Sequence, residues 1–205
     1  MAEAHDIARW IRQLADPDAS RRTVSALQLR IAGSRLCLPA INEWIKDLEF
    51  RELVRPVRVD ESSHESADKS PFVVGIAVHP ENFEKIRAAN GFPPLADVPP
   101  DQDALEFELR LKGSDSDILS TREPGGPGAI ARYLRKFGEG IQQIEVFVTD
   151  VDRGTEILRT RFALAPVYPA TRAGADGTRV NFFLVPTEDK KILIELVEPA
   201  ATQKT

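Results

Sequence analysis

Residues Gly138 to Val148 read Gly-Glu-Gly-Ile-Gln-Gln-Ile-Glu-Val-Phe-Val. From Ile141 onward this is a β-branched and aromatic run of strand length, preceded by glycines. Asp150 follows and can cap a helix over 151–162, with Thr155, Leu158 and Phe162 inward at helical spacing. Three strand-like runs come next, over 165–168, 178–185 (Thr-Arg-Val-Asn-Phe-Phe-Leu-Val) and 192–197 (Ile-Leu-Ile-Glu-Leu-Val). The order is strand, helix, strand, strand, strand.

Reading backwards, the same order occurs once more. Phe72 to Val78 (Phe-Val-Val-Gly-Ile-Ala-Val) is a strand stopped by Pro80. A helix over 82–89 carries Phe83 and Ile86 inward and ends at Asn90-Gly91. A Pro-rich loop leaves room for a short second strand near Leu95-Ala96. Leu105 to Leu111 alternates apolar and charged residues strictly, as a half-buried strand does. Asp117 to Thr121 is a fourth strand. A helix over 129–137, opened by Gly125-Gly126-Pro127-Gly128, joins the copies; that glycine cluster lacks a Walker lysine and reads as a tight turn.

Gly138–Ile144, Gly174–Val180 and Leu193–Glu198 resemble, in spacing and order, the second module of methylmalonyl-CoA epimerases, and Phe72–Val78 is similar to that family's opening strand. The resemblance covers 71–200 and implies the vicinal oxygen chelate (glyoxalase-like) fold. That is an α+β domain of two tandem βαβββ modules, here about 72–122 and 141–198, curling one cup-shaped sheet, usually around a divalent metal. It also implies a metal-ligand pattern that this chain departs from. Val73 stands where a histidine commonly opens the first module, Gln143 where the latter of two adjacent histidines opens the second, and Glu195 keeps the last ligand. The remaining ligand falls near Asp117. Asp117, Gln143 and Glu195 offer three oxygen donors and no nitrogen, a set that suits weakly held Mg²⁺ or Mn²⁺ better than Zn²⁺.

Parity extends the site. If Gln143 faces the cup, so do Glu145 and Phe147. Glu106, Glu108 and Arg110 oppose the apolar set of the alternating strand and are expected in the cup. By the same logic Arg179, Asn181 and Phe183 oppose Val180, Phe182 and Leu184, which are expected under the helices. Glu195 and Gln143 are the candidate catalytic residues, and Arg179, Asn181, Glu106, Glu108, Arg110 and Glu145 the candidate substrate contacts.

The front, 1–54, reads as three short helices: Ile7, Trp10, Ile11 and Leu14 on one face of the first; a second over 19–31 with Val24, Leu27 and Ile31 inward, ended by Gly33-Ser34; and a third over 36–48 with Pro39 in its first turn. The stretch around Asp16-Pro17-Asp18 resembles one HEAT-type helical pair, where a solenoid needs about three repeats. The expected role is a helical cap. Residues 55–70 are polar and acidic, the composition of a flexible linker.

The net charge of −5 gives no basic footprint for nucleic acid. No apolar run approaches the ~20 residues of a membrane span. The single cysteine, Cys37, excludes an intrachain disulfide and fits a cytoplasmic protein. The resulting expectations are an epimerase- or lyase-type enzyme on a small carboxylate or acyl thioester, a non-catalytic module binding a small polar molecule, or an interaction protein using its helices. A homodimer fits a superfamily whose modules often pair between chains, although one chain here holds both modules.

Overall fold

In the computed structural model, which describes residues 4–55, 72–187 and 191–200, Phe72–Ala77 is buried at every position. A strand covered on both faces belongs in the middle of a sheet. The helices are α1 (Ala4–Gln13), α2 (Ala19–Trp44), α3 (Leu48–Leu53), α4 (Pro80–Ala89), α5 (Ala129–Phe137) and α6 (Val151–Arg161). The strands are β1 (Phe72–Ala77), β2 (Ala104–Leu111), β3 (Ser114–Thr121), β4 (Gly140–Phe147), β5 (Arg172–Ala173), β6 (Arg179–Pro186) and β7 (Lys191–Glu198). They form one mixed sheet in the order β2-β3-β1-β4-β7-β6-β5. β1 and β4, the opening strands of the two modules, pair antiparallel at its centre, and each runs parallel to the last strand of its own module. The domain is α+β, with a helical front as the periodicities predict and a curled sheet as the resemblance implies.

Three local expectations are corrected. Gly33-Ser34 does not end a helix: α2 runs unbroken from Ala19 to Trp44, with Pro39 inside it. A Cβ on Gly33 would lie 2.6 Å from Val74 Cγ2 and 3.2 Å from Ile144 Cδ1, so this glycine lets the helix lie close on the β1–β4 seam. The inward face of α2 is accordingly Ala26, Leu29, Ala32, Cys37 and Ile41, while Val24 and Ile31 are exposed. The short second strand near Leu95-Ala96 is also absent; only the Ala96 N–H reaches the sheet, donating to the Glu106 carbonyl (2.9 Å). Residues 165–168 touch β6 through a bridge at Pro166 and the Val167 N–H, and the strand itself forms later, at Arg172–Ala173. A proline at 166 cannot donate to a ladder.

α1 and α2 share one hydrophobic core with β1, β4 and β7: Ile11, Leu14, Leu29 and Ile41 pack with Val74, Ile144 and Leu196. The helical front is thus a cap on the sheet, and among the described residues no second helical pair stacks on it as a HEAT-type array would. Short α3, capped by Asp47, is tied to α6 through Arg161 to Asp47 (2.6 Å) and Arg153 to Glu49 (2.5 Å). Cys37 is fully buried and its thiol is pushed up to about 12 by desolvation, so it packs and does not react. The expected linker lies outside the described residues apart from Arg55. No described helix is long and apolar enough to cross a membrane.

Candidate functional site

Residues directly opposite one another on neighbouring strands share a face of the sheet. Two such rows build the floor of the cup. In one, Glu108 opposes Asp117, Asp117 opposes Gly75, Gly75 opposes Gln143, and Gln143 opposes Leu193. In the next, Val73 opposes Glu145, Glu145 opposes Glu195, and Glu195 opposes Phe182. Gly75 leaves a gap in the middle of the first row, and Gln143 fills it: a Cβ on Gly75 would lie 2.5 Å from Gln143 Cγ.

The rows enclose a cavity of about 690 Å³. Glu106, Glu108, Asp117, Gln143, Glu145 and Glu195 all line it, as does Phe147. Three of the expected contacts do not. Arg110 points away to pair with Glu108 (2.6 Å). Arg179 sits on the outer side, paired with Asp152 and with Glu198 (3.0 Å). Asn181 is buried on the helix side, its Oδ1 accepting from the Phe182 N–H (2.9 Å). The facing of β6 is therefore the reverse of the expected one. Phe182 takes the cup side because its partner Glu195 does, while Phe183 opposes Ile194 and joins the core under the helices.

Parity also missed Gln142. The β1–β4 register shifts between Gly75 and Ile76, so that Gln143 pairs with Gly75 but Ile141 with Ile76. The extra residue of this bulge is Gln142. Ile141 and Ile144 both enter the core, and Gln142 and Gln143 both reach the cavity. A bulge re-aims a side chain in this way, and no alternation rule predicts it. Arg172 and Tyr168 were missed too. They line the cavity rim, with the guanidinium stacked 4.5 Å over the Tyr168 ring and paired with Asp101.

The floor is acidic and buried. Gln143 Nε2 donates to Glu195 Oε2 (2.6 Å) and Glu145 Oε1 (3.0 Å). Desolvation pushes the Asp117 and Glu195 carboxyls well above the carboxylate range, with repulsion from Glu145 and Glu106 adding to it. Glu145 is raised less, because Gln143 and Asp117 donate to it. Glu106 is pushed up to about 8 by burial first and by the charges of Glu145 and Asp176 second. The floor is a row of carboxyls in which burial favours the protonated form, two of them joined by the Gln143 amide that donates to both.

That arrangement does not fit a transition-metal ion. Val73 supplies no donor, the donors present are oxygens, and the Gln143 amide already occupies the space between Glu145 and Glu195. Among the described residues no three His, Cys, Asp or Glu side chains are disposed to hold a metal.

No protein-family model and no curated protein matches this sequence. Solved structures do. Methylmalonyl-CoA epimerase from Mycobacterium tuberculosis is 28% identical, with a TM-score of 0.53, over 68% of this chain and 95% of that one. A Streptomyces coelicolor methylmalonyl-CoA epimerase variant in complex with 2-nitronate-propionyl-CoA is 25% identical, with a TM-score of 0.52, over 72% of this chain and 100% of that one. The fold is vicinal-oxygen-chelate-like. Nearly all of each epimerase finds a counterpart here, and roughly a third of this chain is additional to the match.

Proposed function

We propose that this protein is an epimerase-type enzyme that moves a proton at the carbon beside the carbonyl of a small acyl substrate, without a transition metal. The observation that carries the reading is the set of carboxyls in one cavity, half-buried Glu106 with buried Asp117, Glu145 and Glu195, all raised above the usual carboxylate range. A carboxyl raised in this way holds its proton to higher pH than a free one and is a stronger base once ionised, as proton transfer requires. In the forward step an ionised carboxylate, Glu145 or Glu106, takes the α-proton, and the C–H electron pair becomes the enolate. A protonated partner, Asp117 or Glu195, donates a hydrogen bond to the enolate oxygen. A neutral carboxylic acid kept in a dry site stabilises an oxyanion in this manner. Return of a proton from a carboxyl on another strand completes epimerisation; Glu106 and Glu195 come from either side of the β1–β4 centre. Gln143 is a positioning residue that holds Glu145 and Glu195 apart.

The epimerase neighbours support the reaction class, and the missing histidine ligands argue that this chain reaches it by another route. The buried, unpaired Cys37 fits the cytoplasm, and we extend the proposal to that compartment. The test is α-proton exchange in D₂O, followed by NMR, on methylmalonyl-CoA, other small acyl thioesters with and without an amino group, and small carboxylic and amino acids. Exchange is expected with chelator present and lost in Glu145→Gln and Glu195→Gln. A folded wild-type protein that exchanges none of the panel would overturn the enzyme reading and leave a binding module.

A further inference from the structure

The charge that lines the cup is predominantly acidic. Seven of the residues lining the cavity are acidic and two are basic. The two arginines are engaged elsewhere: Arg172 pairs with Asp101, and Arg132 donates to the Pro127 carbonyl. The amide of Gln143 is spent on Glu145 and Glu195. Among the described residues no lysine or histidine lines the wall.

Gln142 adds a second, independent sign. The bulge in β4 aims it into the cup, it is 8% exposed, and its Oε1 is buried without any hydrogen-bond partner. An acceptor left unpaired at such depth is uncommon in a native protein and is explained by a group that arrives with the ligand. The aromatic rings of Phe147 and Phe182 complete the wall. Their faces attract cations.

We propose that the molecule entering this cup carries a primary or secondary ammonium group, directed into the floor between Gln142 and the Glu145–Glu195 pair. This deepens the reading of the cup as a small-molecule site, and rests on it, by giving the substrate a class: an amino-bearing acyl compound instead of a dicarboxylate. An ammonium brings positive charge to the acidic floor and an N–H donor for Gln142 Oε1. A free carboxylate in the same place meets like charge and leaves the Gln142 Oε1 acceptor unpaired. A quaternary ammonium brings the charge without the donor, so it separates the part played by Gln142 from that of the acids.

The experiment is calorimetry and thermal shift on the full chain, freed of metal by chelator, with four probes: ethylammonium, tetramethylammonium, propionate and Mg²⁺. Ethylammonium is expected to bind and to raise the melting temperature, tetramethylammonium to bind more weakly, and propionate to have no effect. Glu145→Gln should weaken ethylammonium by about tenfold or more, the loss of a charge-assisted partner. Gln142→Leu should bring ethylammonium down to the tetramethylammonium level. Phe182→Leu, outside the buried hydrogen-bonded chain, should weaken both ammonium probes alike, and serves if the floor variants do not fold. Tighter binding of propionate than of ethylammonium would overturn the proposal, as would binding of Mg²⁺ with no response to either amine. Failure here with α-proton exchange intact removes only the ammonium class. Amine binding without exchange keeps this proposal and removes the enzyme.

Discussion

Replacing Gly75 with alanine tests the geometry of the cup floor directly. The added Cβ would stand 2.5 Å from Gln143 Cγ, 3.3 Å from Gln143 Cδ and 3.2 Å from Leu119 Cδ1. The nearest atom belongs to the stem of Gln143, so the whole side chain has to move and not its tip alone. Overpacking of this kind costs about 1–3 kcal/mol. The displaced amide also loses its bonds to Glu195 at 2.6 Å and Glu145 at 3.0 Å. Hydrogen bonds to charged groups contribute about 1.5–3 kcal/mol each, though burial here favours the neutral form of both partners and one bond can partly re-form. Alanine's advantage over glycine in a strand returns roughly 0.5–1 kcal/mol. The balance is a loss of about 2–4 kcal/mol, or some 4–16 °C in melting temperature for a chain near 200 residues. Urea unfolding with a fixed m-value measures it. The decisive comparison is the double-mutant cycle with Gln143→Ala, which removes the obstructing side chain. If Gly75→Ala is harmful because of Gln143, the pair must couple by at least about 1 kcal/mol, with Gly75→Ala nearly neutral in the Gln143→Ala background. A stabilising Gly75→Ala in the wild-type background would refute the placement of Gln143 and, with it, the account of the floor.

The remaining predictions concern packing, pH and metal. Gly33→Ala should destabilise by about 1–2 kcal/mol, since the clash with the stiff, β-branched Val74 outweighs the helix-propensity gain of about 1 kcal/mol; a gain in melting temperature would show that α2 does not sit close on the sheet. Glu106 has its folded pKa raised to about 8, so the native state holds more protons than the unfolded chain above the ordinary carboxylate range, and stability must fall as pH rises from about 4.5 to 8. Asp117 and Glu195 act in the same direction, whereas Asp47 and Glu49, depressed by hydrogen bonds from Arg161 and Arg153 respectively, lose their contribution as pH falls below the carboxylate range. The stability maximum should therefore lie near pH 5, and Glu106→Gln should flatten the alkaline limb; a melting-temperature profile that rises from pH 5 to 8 contradicts this. Titration with Co²⁺, Ni²⁺ and Zn²⁺ should show no stoichiometric site, with Mg²⁺ or Mn²⁺ no tighter than the millimolar range; a micromolar site lost in Glu195→Ala would reinstate the chelate.

The strand and helix periods of the second module, and the charged face of β2, were legible because one rule governs each: alternation where one face meets the core, 3.6-residue spacing where a helix covers it. The errors share a cause. Each arose where contact with a distant residue overrode a local signal. Gly33-Ser34 looks like a helix stop until Val74 and Ile144 are known to lie beneath it. The facing of β6 cannot be read from Val-Asn-Phe-Phe-Leu, because both faces of that strand are apolar in part, the cup taking Phe182 and the core Phe183. Asn181 sits among apolar neighbours at no great cost because its side chain accepts from the adjacent backbone N–H. The bulge at Gln142 leaves the composition of β4 unchanged, and only the pairing with Gly75 and Ile76 exposes it. The resemblance identified the positions of Gln143 and Glu195, but it gave no sign that Glu145 would bond into the same chain.

The close seating of α2 on the β1–β4 seam has a further consequence for how such a cup is shaped. That seam is where the two modules meet, and the angle between them sets how deeply the sheet curls. A continuous helix spanning the join from the convex side works as a splint. It resists opening of the joint, and through its contacts with β1, β2, β3, β4 and β7 its own fit bears on the distance between the walls. Substitutions along Ala26, Leu29, Ala32 and Gly33 should therefore be felt in ligand affinity, as a change in the bore of a cup whose lining is untouched.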